Sequence, residues 1–281
     1  MTRNRMSSIF LILVACLVCY PLIFLFIGSL MGSDELKNNL SAVLESGTTE
    51  FITWSALPLY PTLQSYVKLL LDTPEFFVMF WNSVRISVGV LLGQFLIATP
   101  CAWGFAQGKF KKKKQLFFLY IILMLLPFQV LMLPEYLMLK NLNLLDTLGA
   151  VILPNIFNTF PVFIMYYFFK AIPKAMLEAA RVDGASELRI FFQIGIPLGK
   201  SGIVSALLLS FFENWNLIEQ PMLFLENKQK WPLSLQLPNI SLDRADIAIV
   251  SSIITMILPI LLFLLFQKEL EEGIATSASK E

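Results

Sequence analysis

Histidine is missing from this 281-residue chain, which removes the commonest metal ligand and the usual general base near neutral pH. Zinc hydrolysis on an H-E-x-x-H helix and any Ser-His-Asp triad are thereby excluded. Cysteine is scarce, and Cys16, Cys19 and Cys101 all lie in apolar stretches. Cys16-x-x-Cys19 has redox or zinc spacing, but two thiolates without further ligands do not close a metal site, so these read as small residues of membrane helices. Charge is sparse too: Asp, Glu, Lys and Arg make up 15% of the chain against 57% hydrophobic residues. A water-soluble fold would leave much of that apolar surface uncovered. A net charge of +1 gives no footprint for nucleic acid. There is no Gly-x-Ser-x-Gly elbow and no aspartate inside an apolar run, so no catalytic residue is expected, nor any metal or cofactor in this chain.

What the sequence has is length of apolar run. Ile9–Leu30, Leu148–Phe169 and Ile247–Phe266 carry no charge and are long enough to cross about 30 Å of hydrocarbon as helices, with Leu116–Leu133 just sufficient. Phe76–Ala106 and Ser201–Leu225 are two more such runs; the first contains Asn82 and Arg85, the second Glu213 and Glu219. The expected fold is all-α: a single polytopic membrane domain over residues 1–281 with six transmembrane helices. The first run has too long an apolar core for a cleaved signal and reads as a retained anchor. With the N-terminus inside, 14 of the 21 basic residues fall in inner segments and 7 in outer ones, which favours N-in and C-in. Residues 31–75 then form an acidic extracellular loop, with an extended or turn-rich stretch around Pro58 and Pro61, while 173–197 and the tail 267–281 are cytoplasmic.

GIPLGKS, residues 195–201, looks like a phosphate-binding loop and is not one. The required first glycine would stand at position 194, which is Ile194, and Pro197 removes an N–H from a loop whose chemistry is made of them. The segment before it is the most polar inner stretch. Pro173 can open a helix to about Arg181, Asp183-Gly184 is a turn signal, and Ser186 can cap a second short helix to about Gln193. Pro197 then starts the fifth span. Two short amphipathic helices joined at a glycine make a protrusion that a partner can grip.

Within that protrusion Glu178-Ala179-Ala180, Gly184, Ile194, Ile196 and Pro197 fit E-A-A-x3-G-x9-I-x-L-P, with Ile196 in place of leucine. This resembles the coupling loop of ABC-importer permease subunits, and the chain as a whole is similar to the MalG-like sugar permease group. FFVMFWNSV, MLLPFQVLMLPEYL, LNLLDTLGAVILP and FFENWNLIEQPMLFL carry the likeness across the spans, whereas the tail FQKELEEGIATSASKE departs from the group's glycine- and lysine-containing ending. The resemblance implies a multi-pass subunit of the bacterial inner membrane. Its partners would be a second homologous permease, two ATPase subunits that bind ATP and Mg, an extracytoplasmic solute-binding protein, and membrane lipid. It assigns Glu178, Ala179, Ala180, Arg181, Asp183, Gly184, Ile194 and Pro197 to ATPase coupling. The same architecture moving a peptide-like or cationic solute, working in export, or acting as an unassisted channel is the alternative.

Ionisable groups inside a span are costly unless they face a cavity or a partner. Glu213, Asn216 and Gln220 fall at i, i+3 and i+7 of the fifth span and form one polar stripe. Arg85 reaches a comparable depth at about 1.5 Å per residue, so it lines the same pathway or pairs with Glu213 as a structural ion pair. The resemblance implies that Asn214 and Trp215 offer an amide and an aromatic face to a sugar, although Trp215 suits packing equally well. Asn82 and Gln129 are further candidates of the same kind.

Overall fold

The structure, a computed structural model, describes residues 2–44, 57–236 and 244–278. Among these all regular structure is helical. Packing divides the chain into two compact units, residues 1–78 with 236–258 and residues 79–235 with 259–281.

In the first unit, α1 (Thr2–Gly28) exposes apolar side chains along Phe10–Ile23, while its end packs through Leu25 and Ile27. Such a surface is stable only against lipid or another apolar chain. The segment expected as a loop contains α2 (Ser33–Leu44) and α3 (Gln64–Asp72). Asp34 and Glu35 sit in the first turn of α2, where acidic groups complement the helix dipole. The stretch 57–63 around Pro58 and Pro61 is non-helical, while Glu45 and Glu50 lie outside the described residues. Met31 and Leu36 bury against Ile249 of α15 (Ala245–Ala278). Asp246, near the start of that helix, is buried, accepts a bond from Ser65 Oγ at 3.1 Å and has Lys68 Nζ at 3.9 Å.

The second unit takes most of α4 (Pro74–Gln107), followed by α5 (Lys113–Met124), α6 (Phe128–Asn141), α7 (Leu148–Ile156), α8 (Thr159–Ala171) and α9 (Lys174–Val182). Next comes α10 (Glu187–Ile190), which runs through a π-helical turn, Phe191–Gly195, into α11 (Ile196–Leu198). Then follow α12 (Lys200–Trp215), α13 (Glu219–Phe224), α14 (Leu233–Gln236) and, from residue 259, the second half of α15. Its main core joins Ala98, Ala102 and Trp103 of α4 to Val162, Met165 and Phe169 of α8 and to Leu177, Ile190, Ile203 and Ala206 of the later helices. Gly195 permits the close approach, because a Cβ there would lie 2.7 Å from Trp103 Cζ3.

Among the described residues four stretches are long and apolar enough to cross a membrane: Phe10–Gly28, Pro74–Gln107, Leu148–Ala171 and Ala245–Glu271. Two bent pairs raise the number to six if each counts as one span. They are α5 with α6, bent by 97°, and the segment Glu187–Leu198 with α12, bent by 71°. Two expectations are corrected here. Leu116–Leu133 is not one helix, because Pro127 has no N–H to continue α5 and takes an extended ψ of 146°. Ser201–Leu225 is not one helix either. α12 stops at Trp215, so Gln220 stands on α13 and the i, i+3, i+7 stripe does not exist as a helix face.

Candidate functional site

Apart from the 71° bend before α12, three breaks in the second unit are marked by a proline in or next to the first turn of the helix that follows. Pro127 precedes α6, Pro161 is the third residue of α8, and Pro221 is the third residue of α13. Proline costs little there, since first-turn N–H groups have no intrahelical partner. The freed backbone is partly satisfied locally. Asn158 Oδ1 accepts from Phe160 N at 3.0 Å, and Leu126 N donates to Leu123 O at 3.3 Å.

All three interruptions open on one cavity of about 930 Å³, lined by Leu126 at the first, Phe157 and Asn158 at the second, and Asn216 and Ile218 at the third. Irregular backbone at membrane depth is tolerated where it lines such a space. The polar lining is acidic and amidic: Glu135, Glu213 and Glu219 with Asn155, Asn158, Asn216 and Gln220. No lysine or arginine is among the lining residues. Glu213 and Asn158 stand side by side in this lining and interact electrostatically. Glu219 accepts from Gln129 Nε2 at 3.1 Å and 3.3 Å. Behind the wall, Gln94 Nε2 donates to Asn155 O at 2.8 Å, and Asn155 Nδ2 donates to Val151 O and Gln220 Oε1. This network joins α4, α7 and α13 and fixes the amides facing the cavity.

The pathway candidates therefore separate. Glu213, Asn216 and Gln220 line the cavity, brought together by the break between α12 and α13 rather than by a helical stripe. Gln129 touches it only through Glu219. Arg85 is exposed on α4, and no ion pair among the described residues includes it, so it does not pair with Glu213. Asn82 is buried and donates to Gln229 O at 2.7 Å and Trp231 O at 3.2 Å, holding the segment after α13. Asn214 is buried and bonds Ser210 O at 2.7 Å. Trp215, 3% exposed, stacks on Phe211 at 5.3 Å and meets Phe80 edge-on at 6.0 Å, a packing role. Sequence reasoning missed Glu135, Asn155 and Asn158 as site residues; the carboxylate within an apolar run at Glu135 was the available signal.

The second cluster is the protrusion. α9 ends in a Schellman motif, with Ala185 N to Ala180 O and Gly184 N to Arg181 O both at 3.0 Å, and Gly184 at φ +79°. Ser186 Oγ accepts from Arg189 N at 3.3 Å at the start of α10. Arg181 bridges the turn to Glu187, Nε to Oε1 at 2.7 Å. Leu177 is buried in the core while Glu178, Ala179 and Asp183 are exposed, so one face of α9 is anchored and the other is free. Ile194 packs against the same core and Pro197 lies in α11, next to the 71° bend.

Residues 86–275 match a protein family described as the binding-protein-dependent transport system inner membrane component. The chain is 27% identical to the arabinooligosaccharides transport system permease protein AraQ of Halalkalibacterium halodurans, across 95% of this chain and 93% of that protein. It is 31% identical to a probable ABC transporter permease protein of Pyrococcus horikoshii, across 76% of this chain and 80% of the other. Its fold matches a chain in the crystal structure of a bacterial ABC transporter involved in the import of the acidic polysaccharide alginate, with a TM-score of 0.78 and 22% identity over 95% of this chain and 96% of that one.

Proposed function

The chain belongs to the binding-protein-dependent transport system inner membrane components, and from that premise we propose that its three-break cavity is half of a translocation pathway for a sugar or oligosaccharide. It is a multi-pass permease subunit of an ABC importer and not itself an enzyme. A second homologous permease supplies the other half of the path. The observation that carries the reading is the convergence of all three helix interruptions on one cavity lined by carboxylates and amides.

Carboxylates and amides accept and donate to hydroxyl groups, and Phe128, Phe157 and Phe160 offer apolar faces to a pyranose ring. With three carboxylates and no cation in the lining, this half favours a neutral or amino-bearing solute over an anionic one.

The whole chain, 1–281, acts as one permease domain with both termini inside. Its protrusion enters a groove of an ATPase subunit, where Glu178 pairs with a basic residue and Ala179 and Ala180 allow close approach. Two such ATPases bind ATP and Mg, and their closure drives alternating access. The acidic segment 31–75 meets the solute-binding protein outside.

ATP-driven uptake by the complete transporter in proteoliposomes, measured with neutral, amino-bearing and uronic oligosaccharides, tests the reading. Uptake of neutral or amino-bearing solutes is expected. Transport of uronic oligosaccharides alone would refute the proposed selectivity.

A further inference from the structure

The turn between α4 and α5 carries five lysines in six positions, Lys109 and Lys111 to Lys114. Lys113 is engaged locally, its Nζ donating to Ala106 O at 2.9 Å and to Gly108 O at 3.0 Å, which closes the carbonyl end of α4. Lys109, Lys111, Lys112 and Lys114 are exposed. Lys170 and Lys174, from the junction of α8 and α9, come close enough to interact electrostatically with Lys113. Seven cations thus gather at the ends of helices that cross the membrane, and Glu187 interacts with one of them, Lys109.

Below them lies a cavity of about 250 Å³ lined by Lys113 and Lys114 at its basic end and by Phe105, Phe117, Phe118, Ile121 and Tyr166 elsewhere. Lys170 Nζ stands 5.3 Å from the centroid of the Tyr166 ring, and that ring packs on Phe117 at 4.0 Å. No carboxylate lines this cavity. A cationic rim above an aromatic floor at the end of a membrane helix matches a ligand that is anionic at one end and hydrocarbon at the other. Basic pockets between membrane helices take lipid head groups of that kind.

We propose that this cavity binds an anionic phospholipid, the lysine rim taking its phosphodiester and the Phe117–Phe118 floor the start of an acyl chain. Free phosphate meets the charge but leaves the aromatic floor uncovered. The site is separate from the solute cavity, shares no residue with it, and does not depend on which solute is carried.

The test measures competition of phosphatidylglycerol and phosphatidylcholine for the complete transporter in neutral detergent, read by native mass spectrometry. Wild type is expected to retain phosphatidylglycerol preferentially, and K114Q/K170Q to lose about thirtyfold of that preference, two lysines at about 1 kcal/mol each. K114R/K170R keeps it, which separates charge from misfolding, and Phe118→Ala weakens it without altering the charge. Equal retention of the two lipids by wild type, or unchanged preference in K114Q/K170Q, overturns the proposal and leaves the lysines as topology determinants. Displacement of phosphatidylglycerol by an equal concentration of inorganic phosphate also overturns it, as a phosphate site.

Discussion

Arg181 and Glu187 form a two-point ion pair across the Gly184 turn, Nε to Oε1 at 2.7 Å and Nη2 to Oε2 at 3.3 Å. The pair ties α9 to α10 so that the two short helices present one body. Exposed pairs contribute at most about 1 kcal/mol, so its value is geometric: force applied to the free face of α9 passes through the turn and into the segment that leads to α12.

Glu178 lies on that free face and is exposed. Glu178→Lys is expected to leave the chain's own stability within about 0.5 kcal/mol, as for an ordinary surface change, while reducing ATP-driven uptake at least tenfold. Co-purification of the ATPase and uptake in proteoliposomes measure the two effects separately. Full uptake in the variant would remove the coupling role.

Gly195 and Gly184 are glycines for different reasons. A Cβ on Gly195 meets the Trp103 ring at 2.7 Å, and one on Gly184 meets nothing within 4 Å but sits at φ +79°. Gly195→Ala is therefore an overpacking change costing about 1–3 kcal/mol, and Gly184→Ala a backbone strain of about 1–2 kcal/mol. Thermal unfolding of the two variants, with Trp103→Phe added to each, tells them apart. The second change eases the Gly195 variant and leaves the Gly184 variant unimproved.

Much of this was legible in the chain. Run length located four membrane segments among the described residues, and Pro173, Asp183-Gly184 and Ser186 marked α9, its turn and α10, which span Lys174–Val182 and Glu187–Ile190. Nothing in the run lengths showed that Pro127, Pro161 and Pro221 act at interruptions facing one space. That convergence is a tertiary fact with no periodicity to announce it. Assuming a continuous fifth span put Gln220 on the Glu213 face; the chain reaches a similar outcome by ending α12 at Trp215 and bringing α13 to the same cavity. Asn82 stood as a pathway candidate and Trp215 was open between a sugar face and packing, because an amide or indole in a span looks the same whether it meets a solute or the protein itself.

Glu213→Gln and Glu219→Gln test the cavity's charge. Each keeps the side chain's size and removes one of three carboxylates. Discrimination between neutral and uronic oligosaccharides is expected to fall by about tenfold or more in the double variant, from weaker like-charge repulsion. Uptake rates for the two solute classes give the ratio directly, and an unchanged ratio would show that selectivity is set elsewhere.

Asp146 gives the protein an acid-sensitive joint. The Lys230 ammonium, at 2.6 Å from Oδ2, together with the Asn227 and Glu226 N–H groups, holds this carboxyl below its usual range. A depressed folded-state value means that the joint's contribution is fully present above the unfolded value of about 3.9. It is lost as pH falls through the lower folded one. Unfolding midpoints between about pH 6 and pH 3 should therefore drop less steeply in Asp146→Asn than in wild type. Parallel curves would contradict the assignment.

Accessibility of Asn216, where α12 ends at the cavity, tests the passage itself. Asn216→Cys in a background with Cys16, Cys19 and Cys101 changed to Ser, assembled with its partners in proteoliposomes, is treated with a membrane-impermeant cationic methanethiosulfonate. The rate is measured with and without ATP and Mg. A thiol that reacts from the aqueous phase, at a rate that changes with nucleotide, is the predicted result; a thiol that stays unreactive from both sides in both states would contradict the account.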